Sequence, residues 1–254
     1  MRSPQVIYLD AVGTLFGVKG GVGEQYTKIA ADFNVTLDPD KINRAFYRSF
    51  QSAPPIAMTF PHLQQPQHQS DILATEYEWW RSLAEQTFKD TGDLTKFLDF
   101  EVFFKRLYTY FATAEPWFVF EDTLPALKGW KKQGVTLGIL SNFDSRIYSV
   151  ILALNLEPYF SSITISTEVG AAKPDALIFQ TALAKHNLEQ SPELAVHIGD
   201  SFSEDYEGAS AVGMTALWLN RDHQPTTKPA KQSAQTIDKL TSYLNSREHF
   251  AAIN

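Results

Sequence analysis

A chain of 254 residues, 44% hydrophobic and 20% charged, suits one large domain or a core carrying an insert. Its formal net charge of −7, with no run of Lys or Arg, argues against a nucleic-acid partner, and the absence of cysteine excludes disulfides, thiolate catalysis and Cys-ligated zinc. No apolar stretch approaches the ~20 residues that span a bilayer, and a strand begins almost at once, so a cytoplasmic protein with no membrane partner is expected.

Val6-Ile7-Tyr8-Leu9 is an apolar run that predicts a buried first strand over residues 5–9. After Phe16 the pattern turns helical. Tyr26, Ile29, Ala30 and Phe33 recur at helix spacing over residues 24–33, and Asp38-Pro39 supplies a cap and first turn for a second helix to about Phe50. Residues 53–69 are rich in Pro and Gln and read as a loop. Ser70 or Asp71 then opens a long helix to about Lys89, and another helix runs from Leu94 to about Phe111. Strand–helix alternation follows: helix over 125–133 stopped by Gly134, strand over 135–140, helix over 147–154, and a short strand over 163–165. It continues with helix over 175–186, strand over 194–198, a short helix, and strand over 215–219. Residues 225–231 read as a polar connection and 233–245 as a last helix. The alternation implies a parallel sheet with helices on both faces, a Rossmann-like three-layer α/β core. The expected domains are a core from residues 1–16 and 116–254 and an inserted α-helical cap over 17–115.

Asp10 ends the first strand and leads into the turn Ala11-Val12-Gly13-Thr14. Open α/β sheets place their chemistry at the C-terminal ends of such strands. A carboxylate there can attack a phosphoryl group or an electrophilic carbon, forming a covalent intermediate that water resolves; a turn or capping Asp is the plainer alternative. Asp200 follows the strand Ala195-Val196-His197-Ile198-Gly199, and Asp205 comes soon after. Hard oxygen ligands of this kind suit magnesium near a phosphate, although Asp205 could instead balance a helix dipole. Glu204 reads as solvated. On its own, Ser141 could simply cap the helix that starts near Asp144, Lys173 reads as a surface charge, and Thr14 as a turn hydroxyl. Trp79, Trp80, Phe103, Phe104 and Tyr108 invite a substrate-pocket reading but fit helix-bundle core better. The histidines show no metal-ligand spacing, and His197, on a core strand, reads as packed rather than catalytic.

Taken together and in order, Asp10-Ala11-Val12-Gly13-Thr14, Ile139-Leu140-Ser141-Asn142, Lys173-Pro174-Asp175 and Ile198-Gly199-Asp200 with Asp205 resemble the four motifs of the haloacid dehalogenase-like hydrolases. Trp79-Trp80, Phe143-Asp144-Ser145-Arg146 and Asp205-Tyr206-Glu207-Gly208 add a resemblance to the branch that includes the rhythmically-expressed-gene-two-like proteins. The resemblance implies that Asp10 is the nucleophile and that Lys173 neutralises charge on it and on the transferring group. It implies that Ser141 and the backbone N–H of Asn142 bind a small-molecule phosphate, and that Thr14 binds it too or orients the nucleophile. It also implies that Mg²⁺ is held by Asp10, Asp200 and the backbone carbonyl of Val12, with Asp205 orienting its neighbours. The phosphatases of the family carry a second Asp where this chain has Val12, and that Asp protonates the leaving alcohol and then activates water. A magnesium-dependent phosphatase, slowed by that loss, is the expectation. A metal-free 2-haloacid dehalogenase, whose halide leaves unprotonated, and a catalytically impaired phosphate- or metabolite-binding protein are the alternatives. Asp200 and Asp205 favour the phosphatase, since two carboxylates facing Asp10 would be costly without a cation.

Overall fold

The computed structural model describes residues 4–59, 69–225 and 234–243. Val6–Leu9 (β1) is buried along its whole length, as expected of a strand covered on both faces. It pairs in parallel with Thr136–Ser141 (β4) on one side and Ala195–Gly199 (β6) on the other. The sheet is completed by Ser162–Ile165 (β5), Thr215–Leu219 (β7) and Thr236–Ile237 (β8), in the order β5-β4-β1-β6-β7-β8. All the pairings are parallel. The chain therefore runs outward from β1 in both directions, and β1 marks the point where the strand order reverses. Open α/β sheets carry their ligand crevice at that point, beyond the C-terminal strand ends. The register is what matters for the site: Leu9 lies opposite Ile139 and Ile198, so Asp10, Ser141 and Asp200 all emerge within two residues of one level.

Helices Thr123–Lys132 (α5), Arg146–Ala153 (α6), Ser166–Val169 (α7), Ala176–Ala184 (α8) and Gly208–Ala211 (α9) lie between the later strands in the chain. Tyr8, Leu140, Ile178, Phe179, Ala182 and Leu183 form one apolar cluster of this core, and the Tyr8 hydroxyl donates to the Ala182 carbonyl at 2.7 Å. The core is thus a parallel, Rossmann-like α/β sheet. No described helix is long and apolar enough to cross a membrane.

The chain divides into two compact units, Met1–Gly17 with Val119–Phe143 and Leu156–Asn254, and Val18–Phe118 with Asp144–Asn155. The second unit is helical. It holds Val22–Ala31 (α1), Pro39–Ser52 (α2), Gln69–Thr91 (α3) and Phe100–Tyr110 (α4), and also α6, which the sequence reading leaves in the core. Asp38 accepts from the Lys41 N–H and Pro39 occupies the first turn, as the sequence predicts for α2. The helix expected from Leu94 is broken. A short 3₁₀ turn covers Leu94–Lys96, and Asp99 starts α4 afresh by accepting from the Val102 N–H. Phe103 and Phe104 are core residues with Tyr26, Phe46, Phe88 and Leu107, and Trp79, Trp80 and Tyr108 pack partly buried against them.

Segment 144–155 joins the helical unit through charge and aromatic contacts. Arg146 forms a two-pronged pair with Asp144, Nε to Oδ1 at 2.9 Å and Nη2 to Oδ2 at 2.5 Å. Its guanidinium lies 4.2 Å from the Tyr108 ring centroid and 4.9 Å from that of Trp80. Trp80 Nε1 donates to Asp144 Oδ2 at 2.6 Å, and the buried Glu76 accepts from the Ser145 N–H and hydroxyl. Asp144 also accepts from the Arg146 N–H, so the helix begins without any cap from Ser141.

Phe16–Val18 (β2) and Trp117–Val119 (β3), which have no counterpart in the sequence reading, form a separate two-stranded sheet. Three-residue strands carry too little alternation to be read. Within the expected last helix, Thr236–Ile237 instead pairs with β7 and only residues 240–243 are helical among those described. Residues 233, 244 and 245 of that helix, most of the 225–231 connection, and residues 60–68 of the expected Pro-rich loop lie outside the described residues.

Replacing Arg146 with Met leaves the Asp144 carboxylate buried without its charge partner. The variant is expected to lose about 3–5 kcal/mol of stability in urea unfolding, whereas a loss below about 1 kcal/mol would show the pair to be replaceable by packing.

Candidate active site

The site is assembled at the ends of β1, β4 and β6. Asp10 follows β1, with its N–H donating to the Ile198 carbonyl at 3.0 Å. The chain then turns sharply at Gly13, whose φ is +88°. A Cβ there would sit 2.4 Å from Asp200 Oδ2, so only glycine lets this turn lie against the acidic residue after β6. Thr14 Oγ1 donates to Asp200 Oδ1 at 3.2 Å, tying the two loops together. Val12 projects outward beside Asp10 and is 37% exposed.

Among the described residues, Lys173 is the cation paired with the carboxylates at the centre. Its buried Nζ donates to Asp10 Oδ1 at 2.7 Å and to Asp205 Oδ1 at 2.5 Å. Asn142 holds its backbone from both sides, accepting from the Lys173 N–H at 2.7 Å and donating to the Lys173 carbonyl at 3.1 Å. Asp205 is fully engaged. Oδ1 also takes a bond from His197 Nε2 at 2.8 Å, and Oδ2 accepts the Ser201 N–H at 3.0 Å. Gly199 makes room for this, since a Cβ there would lie 2.1 Å from the Asp205 carboxyl carbon.

One oxygen from each of Asp10, Asp200 and Asp205 falls within 4.8 Å of the others. Burial pushes the Asp10 carboxyl above the usual carboxylate range; Lys173 opposes this, Asp205 adds to it, and Ser141 hydrogen-bonds the same group. Asp200 is pushed up to about 7, by burial first and then by the charges of Asp10 and Asp205. Burial would raise Asp205 too, but Lys173 and the bond from His197 outweigh it and hold that carboxyl far below the usual range. Burial alone would weaken the Lys173 ammonium, and its two carboxylates reverse that and strengthen it. One ammonium thus faces three carboxylates.

The structure brings Asp10, Thr14, Ser141, Asn142, Lys173, Asp200 and Asp205 to this one end of the sheet. Lys173 is no surface charge, because two carboxylates draw it inside. Glu204 corrects the sequence reading: it is partly buried and accepts from Asn142 Nδ2 at 3.3 Å, and burial raises its pKa. His197 is buried, as expected of a core strand, yet it bonds directly to Asp205. Two further residues support the loops without any signal in the sequence. Trp218 Nε1 donates to the Asp200 carbonyl at 3.0 Å. Arg221 donates to the Thr14 carbonyl at 2.8 Å and to Asp122 at 3.0 Å, with its guanidinium 4.1 Å from the Phe120 ring centroid.

Gly13→Ala forces a side chain into both an unfavourable backbone region and the Asp200 carboxylate. A loss of about 1–3 kcal/mol is expected in thermal or urea unfolding, and an unchanged stability would contradict the turn described.

A family model described as haloacid dehalogenase-like hydrolase matches residues 4–213. The mouse haloacid dehalogenase-like hydrolase domain-containing protein 3 is 31% identical over 210 residues, covering 81% of this chain and 77% of its own. The fruit-fly (Drosophila melanogaster) rhythmically expressed gene 2 protein is 28% identical over 214 residues, covering 82% and 80%. Among solved structures, a HAD phosphatase from Thermococcus onnurineus shares the fold with a TM-score of 0.60, at 24% identity and 97% and 98% coverage. With a sheet that reverses at β1, acidic residues at three of its loop positions and a family match across most of its length, this chain belongs to the haloacid dehalogenase-like hydrolases.

Proposed function

We propose that the protein is a magnesium-dependent phosphatase acting on a small phosphorylated metabolite in the cytoplasm, through an aspartyl-phosphate on Asp10. The carrying observation is the charge imbalance: three carboxylates converge within 4.8 Å, and among the described residues Lys173 alone forms ion pairs with them as a permanent cation. A phosphoryl group adds more negative charge, so a hard cation is needed before it can approach. The donors fit Mg²⁺, being oxygens with room left over. Asp200 takes a side-chain bond from Thr14 on Oδ1 and has no direct ion pair with Lys173 among the described residues, whereas both Asp205 oxygens are taken. Asp10, Asp200 and the Val12 carbonyl would hold the ion, which when bound neutralises charge on the transferring group.

The chain's own residues supply the rest. A carboxylate oxygen of Asp10 attacks phosphorus, the bond to the leaving oxygen breaks, and water later cleaves the aspartyl-phosphate to release inorganic phosphate. Lys173, fixed by Asn142 and Asp205, holds Asp10 oriented and opposes the charge that builds on the phosphoryl oxygens. The Ser141 hydroxyl, the Asn142 N–H and Thr14 bind those oxygens. Val12 has no proton to give, so acyl and aryl phosphates, whose leaving groups depart unaided, are the preferred substrates. A dehalogenase-type displacement on Asp10 is the second reading. The exposed apolar Val12 favours it, since halide needs no proton, but the three-carboxylate cluster argues against a metal-free site.

Two measurements test this reading. Millimolar Mg²⁺ is expected to raise the thermal midpoint, with a stabilisation of about 2.7 kcal/mol at a hundredfold excess over Kd; Asp200→Asn should remove most of the shift, and a wild type indifferent to Mg²⁺ would overturn the metal assignment. In an activity panel, Asp10→Asn should abolish hydrolysis. Val12→Asp should raise turnover of alkyl phosphates by about 10²-fold or more, with a much smaller gain on p-nitrophenyl phosphate. Equal gains on both would mean that the new carboxylate is not acting as the acid, and turnover of 2-haloacids but not of phosphates would establish the dehalogenase reading.

A further inference from the structure

His197 is a polar side chain on the central part of the sheet with no assigned task. It is fully buried, and Phe179 meets its ring edge-on at 5.6 Å between centroids. Its Nε2 lies 2.8 Å from Asp205 Oδ1, while its Nδ1 is buried with no partner among the described residues. A carboxylate oxygen has only lone pairs to offer, so the proton of this contact sits on Nε2. The arrangement continues as a chain of donors and acceptors: His197 to Asp205, Lys173 to Asp205, and Lys173 to Asp10. A packing role alone needs no nitrogen here, and an aromatic ring against Phe179 would serve it better.

We propose that His197 is a positioning residue for the reaction on Asp10: by donating from Nε2 it shares the Asp205 carboxylate with Lys173 and so keeps the ammonium divided between Asp205 and the nucleophile. Without that donor, Asp205 Oδ1 draws Lys173 towards itself and away from Asp10. The effect falls on the orientation of the reacting groups more than on substrate binding. The proposal rests on the phosphatase reading for its kinetic consequence, though not for the hydrogen bond itself.

The test compares His197→Gln, whose amide nitrogen reaches the place of Nε2, with His197→Phe, which keeps the aromatic packing and removes the donor. With p-nitrophenyl phosphate and Mg²⁺, His197→Phe should lower kcat by about 10- to 100-fold with KM within about twofold, and His197→Gln should stay within about threefold of the wild type. The order is diagnostic, because packing predicts that Phe is tolerated at least as well as Gln; equal variants, or Phe above Gln, overturn the proposal. A second measurement is independent of turnover. Long-range ¹H–¹⁵N spectra of the wild type should show His197 with its proton on Nε2 across pH 6–9, and a bare Nε2 overturns the assignment even if the protein hydrolyses phosphates. A wild type without phosphatase activity but with protonated Nε2 would instead count against the phosphatase reading and leave the hydrogen bond standing.

Discussion

Lys173 holds the site together by standing between two buried carboxylates that could not otherwise be neighbours. Removing such charges from water costs several kcal/mol per ion, and only close geometry and completed hydrogen bonds repay it. Both are present. The ammonium reaches Asp10 and Asp205 at hydrogen-bond distance, Asn142 grips the lysine backbone, and the Asp205 oxygens are saturated by Lys173, His197 and Ser201. The glycines serve the same end. Gly13 and Gly199 are the places where a methyl group would strike the Asp200 and Asp205 carboxylates.

The balance is deliberately incomplete. Asp200 has no direct ion pair with Lys173 among the described residues, Thr14 donates to one of its oxygens, and its carboxyl is pushed up to about 7 by burial and by its anionic neighbours. A pocket wired this way favours whatever cation or proton completes it. The residual negative charge also discriminates among ligands, because an anion can enter only together with a compensating positive charge. Val12 works in the other direction, placing an exposed apolar side chain close in sequence to Asp10, where an ionisable group would accept or release protons.

Much of this was legible in the sequence because the site sits at strand ends, and strand ends are easy to read. Apolar runs locate β1, β4 and β6, and the residue after each run is where a parallel sheet presents its chemistry. Asp10, Ser141 and Asp200 follow directly. What escaped depends on side-chain partners distant in sequence. Glu204 looks like a solvated surface residue until Asn142, from another strand end, is seen to reach it. His197 sits in an apolar strand and matches a core position, and only its bond to Asp205 distinguishes it. Arg221 and Trp218 act on the backbone of other loops, a role that no residue type announces. Segment 144–155 falls between two strands and so looks like part of the core. A buried ion pair and two aromatic rings, none of them marked by periodicity, place it with the helical unit.

The topology has a consequence for the order in which the molecule can be made. β1 is the first strand to be synthesised, yet its two neighbours begin at Thr136 and Ala195. The loop after Asp10 waits longer still for its supports, since Lys173 lies 163 residues beyond Asp10 and Arg221 lies 207 beyond Thr14. The helical unit, by contrast, is almost continuous from Val18 to Phe118 and can collapse on itself while the rest of the chain is still emerging. Closing such long loops is slow. During translation this apolar strand is therefore unpaired for about half the chain's length, and this N-terminal segment is where an unfinished molecule most needs shielding from its neighbours.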